Sequence, residues 1–341
     1  AWSSRLTKVV LPDGLTTIGD EAFESCRTLA EIAIPATVTS IGKSAFGSCY
    51  ALKCITIPDG VTSIEYGAFQ YSGLESITIP DSVTSIGICA FSNCSSLTSI
   101  TIPNSVTSID DSAFSGTSIT SITIPDSVVK IGQQVFEDCK KLESVTIGKG
   151  VREFDLTLFD DYNTNLRNIV VTEDNEVFDS REGCNAIIET ATDTLAHGCK
   201  STVIPSSVKE IGEHAFCAGC PRNLVIPAGV TNLGMVVFYN CTSLTSVTIP
   251  DSVTAIGMEA FAGCTGLTSV TISNSVTSIG SSAFYGCIGL TSVDIPNSVT
   301  TIGSTAFYGC SGLISVTIPN LVSLIGNSAF YGCGLRLIIR H

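Results

Sequence analysis

The chain has 341 residues, 44% of them hydrophobic and 14% charged, with a formal net charge of −14. That apolar content excludes intrinsic disorder, and the acidic balance excludes bulk attraction to a phosphate backbone. No apolar run reaches the roughly 18 residues that a membrane-spanning helix needs, and Ala1-Trp2-Ser3-Ser4 has neither the basic nor the apolar part of a secretory leader.

The first block, residues 1–171, is periodic. Phe23, Phe46, Phe69, Phe91, Phe114, Phe136 and Phe159 succeed one another at spacings of 22 or 23. The series returns in a second block, residues 203–341, at Phe216, Phe238, Phe261, Phe284, Phe307 and Phe330, again at spacings of 22 or 23. One unit reads Leu267, Val270, Ile272, Val276, Ile279, Ala283, Phe284, Cys287, and Leu290 begins the next. Val270 and Ile272 alternate with Ser269 and Thr271, the signature of a short strand. Pro or a polar residue ends it, as at Ile249-Pro250-Asp251, because Pro lacks a donor and Asp suits a turn. A second extended piece runs from Val276 to Ile279, Gly280 permits a bend, and Ala283-Phe284 opens a helical turn that drives the ring inward. A unit this short cannot bury its own apolar set, whereas stacked units bury it continuously.

This pattern resembles the leucine-rich-repeat superfamily. More narrowly it is similar to the BspA-type leucine-rich repeats of bacterial and protist surface proteins, on runs such as Leu244 to Gly257 followed by Ala260-Phe261 and Cys264. The expected fold is a leucine-rich-repeat solenoid, β-rich with short helical turns, of about 14 coils of 22–23 residues with one inserted β-hairpin. The expected organisation is a single solenoid domain, 1–341, whose two blocks flank the hairpin. The resemblance implies an extracellular or cell-surface location and a role in attachment to host proteins or other cells.

The irregular segment is 172–202. Asn185-Ala-Ile-Ile-Glu-Thr190 and Thr194-Leu195-Ala196 read as two strands around a turn, and Phe178-Asp179-Ser180-Arg181 with Cys184 to Thr190 resembles an island carried by the BspA-type family. Charge gathers here: residues 149–193 hold four basic and eleven acidic side chains. Charge runs are usually solvated faces, but loops on rigid scaffolds often carry function. The partner-binding candidates are therefore Tyr162, Glu173, Asp174, Glu176, Phe178, Asp179, Arg181, Glu182, Glu189 and Asp193. Glu173, Asp174, Asn175, Glu176 and Asp179 also offer oxygen ligands for calcium, without the spacing of a Ca²⁺ loop.

Nine of the fifteen cysteines stand three residues after a repeat Phe: Cys26, Cys49, Cys94, Cys139, Cys241, Cys264, Cys287, Cys310 and Cys333. Ser72 and Thr117 take the same slot, so it asks for a small side chain and the thiols read as a packed ladder. Cys184 and Cys199 flank the hairpin and are candidates for a disulfide across it. His214, Cys217 and Cys220 suggest zinc but lack a fourth ligand.

No nucleophile elbow, phosphate loop or dinucleotide fingerprint is present, and only His197, His214 and His341 occur. Asp59, Asp81, Asp126 and Asp251 recur after the strand Pro, but Asn104, Asn297 and Asn320 share their slot, so they are turn residues and not general acids or bases. The expectation is a non-enzymatic protein without cofactor or resident metal, binding an extracellular protein or glycan. The alternative is a structural scaffold with end-to-end self-association, since no polar caps close the repeat at Leu6 or Leu335. Tyr239, Tyr285, Tyr308 and Tyr331 follow the repeat Phe and read as packing between coils. Ice binding by the Ser/Thr strand face and N-glycosylation at Asn93-Cys-Ser or Asn240-Cys-Thr are weaker readings.

Overall fold

The structure, a computed structural model, describes residues 5–340. The leader reading at Ala1–Ser4 and the histidine His341 lie outside the described residues. The chain divides into two compact units: one runs to Leu166 and takes in Val171–Val177, and the other takes Arg167–Val170 and the chain from Phe178.

Each unit is a stack of parallel coils held by three hydrogen-bonded ladders. The first follows the L-x2-V-x-I segment. In the first unit Ser121–Ile124 pairs in parallel with Ser144–Ile147, Thr123 facing Thr146. In the second unit Asn223–Val225, Ser246–Thr248 and Ser269–Thr271 form a three-stranded parallel sheet. The register is one repeat per coil, so chemically equal residues stand side by side. The second ladder is built from two-residue strands, such as Ser63–Ile64, Ser85–Ile86, Ser108–Ile109 and Lys130–Ile131.

The third ladder lies at the Phe turn. The helical turn expected at Ala283-Phe284 is instead a chain of tight turns: Ala283 N–H donates to Gly280 O, Tyr285 N–H to Ser282 O and Cys287 N–H to Phe284 O. The alternate donors reach the next coil, Ser282 N–H to Ser304 O, Phe284 N–H to Ala306 O and Gly286 N–H to Tyr308 O, at 2.7–2.9 Å. This alternation goes with left-handed residues two before and two after the Phe in most coils, Phe159 excepted. Glu21, Ser44, Cys89, Ser112, Glu259 and Ser282 take the first position with φ of 50–58°. A left-handed residue that carries a Cβ costs about 1–2 kcal/mol, and the bond to the neighbouring coil offsets that cost. Among the described residues the helical content is one 3-10 turn, Arg181–Gly183.

The core is a set of columns. Phe46, Phe69, Phe91 and Phe114 have no exposed area and stack ring on ring at 5.5–5.7 Å. In the second unit Phe238, Phe261, Phe284 and Phe307 stack at 5.0–5.3 Å. Leu290, Val293, Ile295, Val299, Ile302, Ala306, Phe307, Cys310 and Leu313 are all buried, so one coil reproduces the whole apolar grammar. At the bend before the Phe turn, a Cβ on Gly303 would stand 2.5 Å from Ser281 N of the previous coil, so backbone packs on backbone and only Gly fits.

The Ser and Thr richness has a structural cause. Thr84 Oγ1 donates to Thr62 O at 3.2 Å, Thr107 Oγ1 to Thr84 O at 3.1 Å, Thr277 Oγ1 to Thr254 O at 3.1 Å and Thr300 Oγ1 to Thr277 O at 3.2 Å. Ser298 Oγ donates to Val276 O at 2.6 Å. Each hydroxyl satisfies a carbonyl one coil back. Many of the hydroxyls therefore serve the stack itself.

Candidate functional site

From Phe178 on, the irregular segment lies in the second unit and interrupts its coil pattern. Ile187–Glu189 and Thr194–His197 are antiparallel, with Ile188 facing Leu195, and Phe178–Asp179 pairs antiparallel with the outer side of the hairpin. Thr194–His197 then pairs in parallel with the coil strand Glu210–Ile211, Thr194 facing Glu210. The hairpin thus starts a nine-stranded sheet that runs to Leu324–Ile325. Ile187, Ile188 and Leu195 are fully buried, so the hairpin is seated by apolar contact before any charge acts.

Arg181 sits at the centre of its polar face. Its Nη2 is 2.6 Å from Asp179 Oδ2 and its Nε 2.9 Å from Asp179 Oδ1, a bidentate pair. Its Nη1 reaches Asp193 Oδ1 at 2.7 Å and Ser207 Oγ at 3.4 Å. Lys209 Nζ closes the network on Asp193 Oδ2 at 2.7 Å, and Thr190 Oγ1 donates to Asp179 Oδ2 at 3.3 Å. Burial pushes the Asp179 carboxyl up, but the hydrogen bonds and charge of Arg181 outweigh it and hold the group below the usual carboxylate range. Lys209 and Arg181 hold Asp193 low as well, and the two carboxylates keep the Arg181 guanidinium firmly charged.

The sequence candidates fall into two groups. Phe178, Asp179, Arg181, Glu182, Glu189 and Asp193 belong to the second unit, and Tyr162, Glu173, Asp174 and Glu176 to the first. The structure brings Asp179, Arg181 and Asp193 together as an internal clamp. Arg181 therefore bonds to its own hairpin, with a quarter of its side chain exposed. Phe178 is buried, at 8% exposure, because it packs as a strand residue and not as a contact. Glu189 accepts from Thr192 Oγ1 at 2.5 Å. The residues left at the surface are Tyr162, Glu173, Asp174, Glu176 and Glu182. Lys140 Nζ lies 5.2 Å from the centre of the Tyr162 ring, a cation–π contact, and Glu176 pairs with Arg152 at 3.1 Å.

Lys209, Ser207 and Thr190 were not recognisable as members of this cluster. Lys209 could have been found from register: it stands one residue before Glu210, as Asp193 stands one before Thr194.

The expected bridge between Cys184 and Cys199 is not formed in the structure. Both are buried free thiols, turned to backbone carbonyls: Cys199 Sγ donates to Asn185 O at 3.3 Å, and Cys184 Sγ points to Ala186 O at 3.8 Å. The calcium set is not assembled. Asn175 Nδ2 donates to Gly148 O and Val151 O, Glu176 pairs with Arg152 and Asp179 with Arg181. His214 is exposed while Cys220 is buried, and among the described residues no group of three or more His, Cys, Asp and Glu is placed to hold a metal ion. No helix among them is long and apolar enough to cross a membrane.

Parallel coils with a repeating apolar strand, stacked Phe and a thiol slot define a leucine-rich-repeat solenoid of about fourteen turns. The profile of the BspA type leucine rich repeat region matches residues 1–73, 62–185, 195–284 and 231–340, in six copies; the chain belongs to that family. A leucine-rich repeat protein from Bacteroides ovatus is 28% identical over 96% of this chain and 77% of its own, with a TM-score of 0.66. A leucine rich cell surface protein from Faecalibacterium prausnitzii is 30% identical over 98% of this chain and 87% of its own, with a TM-score of 0.57. A leucine-rich repeat protein from Eubacterium ventriosum, 24% identical with a TM-score of 0.68 over 84% of each chain, shares the fold. No curated protein matches the chain. Repeat proteins of this kind are typical of bacterial surfaces.

Proposed function

We propose that the protein is a non-catalytic recognition module, cell-surface or secreted, that binds an extracellular protein or glycan through the acidic turn at Glu173 and Asp174 of the first unit. One observation carries this reading. Many hydroxyls of the coils serve the stack, whereas Glu173 and Asp174 of the first unit are neighbouring exposed acids on a segment outside the coil pattern. A rigid scaffold holding a few charges in place lowers the ordering cost of binding, and the acids favour a partner with basic groups. The similarity to a leucine rich cell surface protein supports the location.

The test is a binding screen against extracellular-matrix proteins and glycans. It compares the intact chain with the double variant Glu173→Gln and Asp174→Asn. These positions are exposed, and Asn tolerates the left-handed backbone of Asp174, φ 66°. Removal of the hairpin tip would be a poor test, since Ile187, Ile188 and Leu195 are core. Binding that weakens with salt and is lost in the variant is the expected result. Binding by neither protein, or equally by both, overturns the reading.

A further inference from the structure

The second unit carries an aromatic feature that its packing does not require. Tyr285, Tyr308 and Tyr331 each follow a repeat Phe. Their rings stack at 5.1 Å, with interplanar angles of 3° and 21°. Tyr285 is 45% and Tyr331 65% exposed. Other coils fill the same slot with Ser92, Ser115, Gln70 or Ala262, so neither the fold nor the core needs an aromatic there. Large exposed rings placed in register are costly to leave in water without a use.

Beside the rings runs a strip of bare backbone. The residue after each Tyr is Gly286, Gly309 or Gly332, with φ of 67–74°. The conformation alone does not demand glycine, because Ser25, Ser48, Asn93 and Asn240 hold the same position in other coils with φ of 54–58°. Nor does crowding demand it at Gly286, where a Cβ would meet nothing within 4 Å. The glycines leave a clear track along the tyrosines.

The track is also electrically quiet. From Ala260 to Leu335 the sequence has one charged residue, Asp294, and that residue lies on the strand Ser292–Asp294, away from the Phe turn. In a chain of net charge −14 this is a neutral surface, and it selects a neutral partner. The ring spacing narrows the choice further. An extended peptide returns a side chain to one face about every 6.6 Å, and a polyproline helix about every 9 Å, so neither stays in step with a 5.1 Å ladder. An extended β-1,4-linked pyranose chain advances by close to one coil per sugar ring. Each sugar can then rest against the outward edge of a tyrosine and find a phenol hydroxyl in reach.

We infer that the Tyr285–Tyr308–Tyr331 ladder and its glycine track form a binding site for a linear, uncharged β-1,4-linked glycan, lying along the stack with one sugar ring per coil. This site is separate from the acidic segment, so the two readings fail independently.

Calorimetric titration of the intact chain with cellohexaose and with chitohexaose tests it, with anionic polygalacturonate as a contrast. The two neutral hexasaccharides distinguish a glucan from an N-acetylglucosamine polymer. Saturable binding of at least one of them, insensitive to salt, is the expected result. Tyr308→Ser, which installs the residue found at Ser115, should weaken binding at least tenfold. Gly309→Asn, which installs the residue found at Asn240, should do the same with all the tyrosines in place. Tyr239→Ser and the double variant Glu173→Gln, Asp174→Asn should bind as the intact chain does. Absence of saturable binding by both hexasaccharides, preference for polygalacturonate, or intact affinity in both Tyr308→Ser and Gly309→Asn overturns the assignment.

Discussion

The thiol of Cys264 lies 3.0 Å from the carbonyl oxygen of Phe238, one coil earlier, and donates to it. The relation repeats along the stack: Cys94 to Phe69 O, Cys287 to Phe261 O, Cys310 to Phe284 O and Cys333 to Phe307 O, all at 3.0–3.1 Å. In the coil of Phe159, which has Tyr162 in the slot, the next residue takes over: Asn163 Nδ2 donates to Phe136 O at 2.9 Å. The slot therefore asks for a small buried donor, which is more than a small apolar body.

A substitution series at Cys264 separates these two demands. Cys264→Ser keeps a donor and should change stability by less than about 1 kcal/mol, while Cys264→Val fills the space but abandons the Phe238 carbonyl and should cost about 1–2 kcal/mol. Denaturant unfolding of the two variants decides between them; equal losses would show that packing alone sets the residue.

Thiol reactivity should follow burial. Burial pushes the Cys94 and Cys139 thiols up to about 11, so they stay protonated and unreactive at neutral pH. Cys54 is exposed, and Cys89, Cys217 and Cys333 are partly so. Alkylation of the native chain without reductant should label Cys54 first and leave Cys94, Cys139, Cys241 and Cys264 untouched until the chain unfolds. A measured mass deficit of two protons would instead reveal a Cys184–Cys199 bridge.

The clamp at Arg181 should make the hairpin acid-sensitive. Asp179 is held below its ordinary value in the folded state. Its stabilisation is therefore complete above the unfolded carboxylate pKa of about 4 and is lost as the pH falls through the lower folded value. Hydrogen exchange of the amides in 187–197, corrected for intrinsic rate, should quicken below pH 4 relative to the coil amides in 269–302. Arg181→Met should produce the same local opening at pH 7, about 1–2 kcal/mol after allowance for partial exposure, and should weaken the acid dependence to the part that Lys209 maintains through Asp193.

Val236 and Thr305 are β-branched members of the left-handed set, and Val236 is the apolar one. It holds φ at 60°, a conformation that a β-branched residue resists strongly, while its N–H donates to Met258 O at 3.0 Å. Val236→Gly keeps that bond and releases the strain, so it should stabilise the second unit by about 1 kcal/mol. A lower unfolding midpoint would show that the Val236 side chain contributes more by packing than its backbone loses.

The coil count, the Phe columns and the inward residues were legible from the chain alone. Burial recurs with the coil period, so Phe284, Leu290, Val293 and Val299 could be placed without knowledge of their neighbours. The hairpin was legible for a similar reason, because Ile187-Ile188 and Leu195 are apolar on both sides of a turn. The left-handed positions were not, since Glu21, Ser282 and Val236 carry no local signal for positive φ and adopt it only because a carbonyl of the next coil awaits their N–H. Nor was the fate of the charges. Arg181 has acids on both sides in the sequence, and only the parallel register of Thr194 with Glu210 brings Asp193 between it and Lys209, turning an expected contact residue into an internal clamp. Local pattern determines which residues are buried, whereas pairing between residues a coil or more apart depends on register, and register exists only once the coils have stacked.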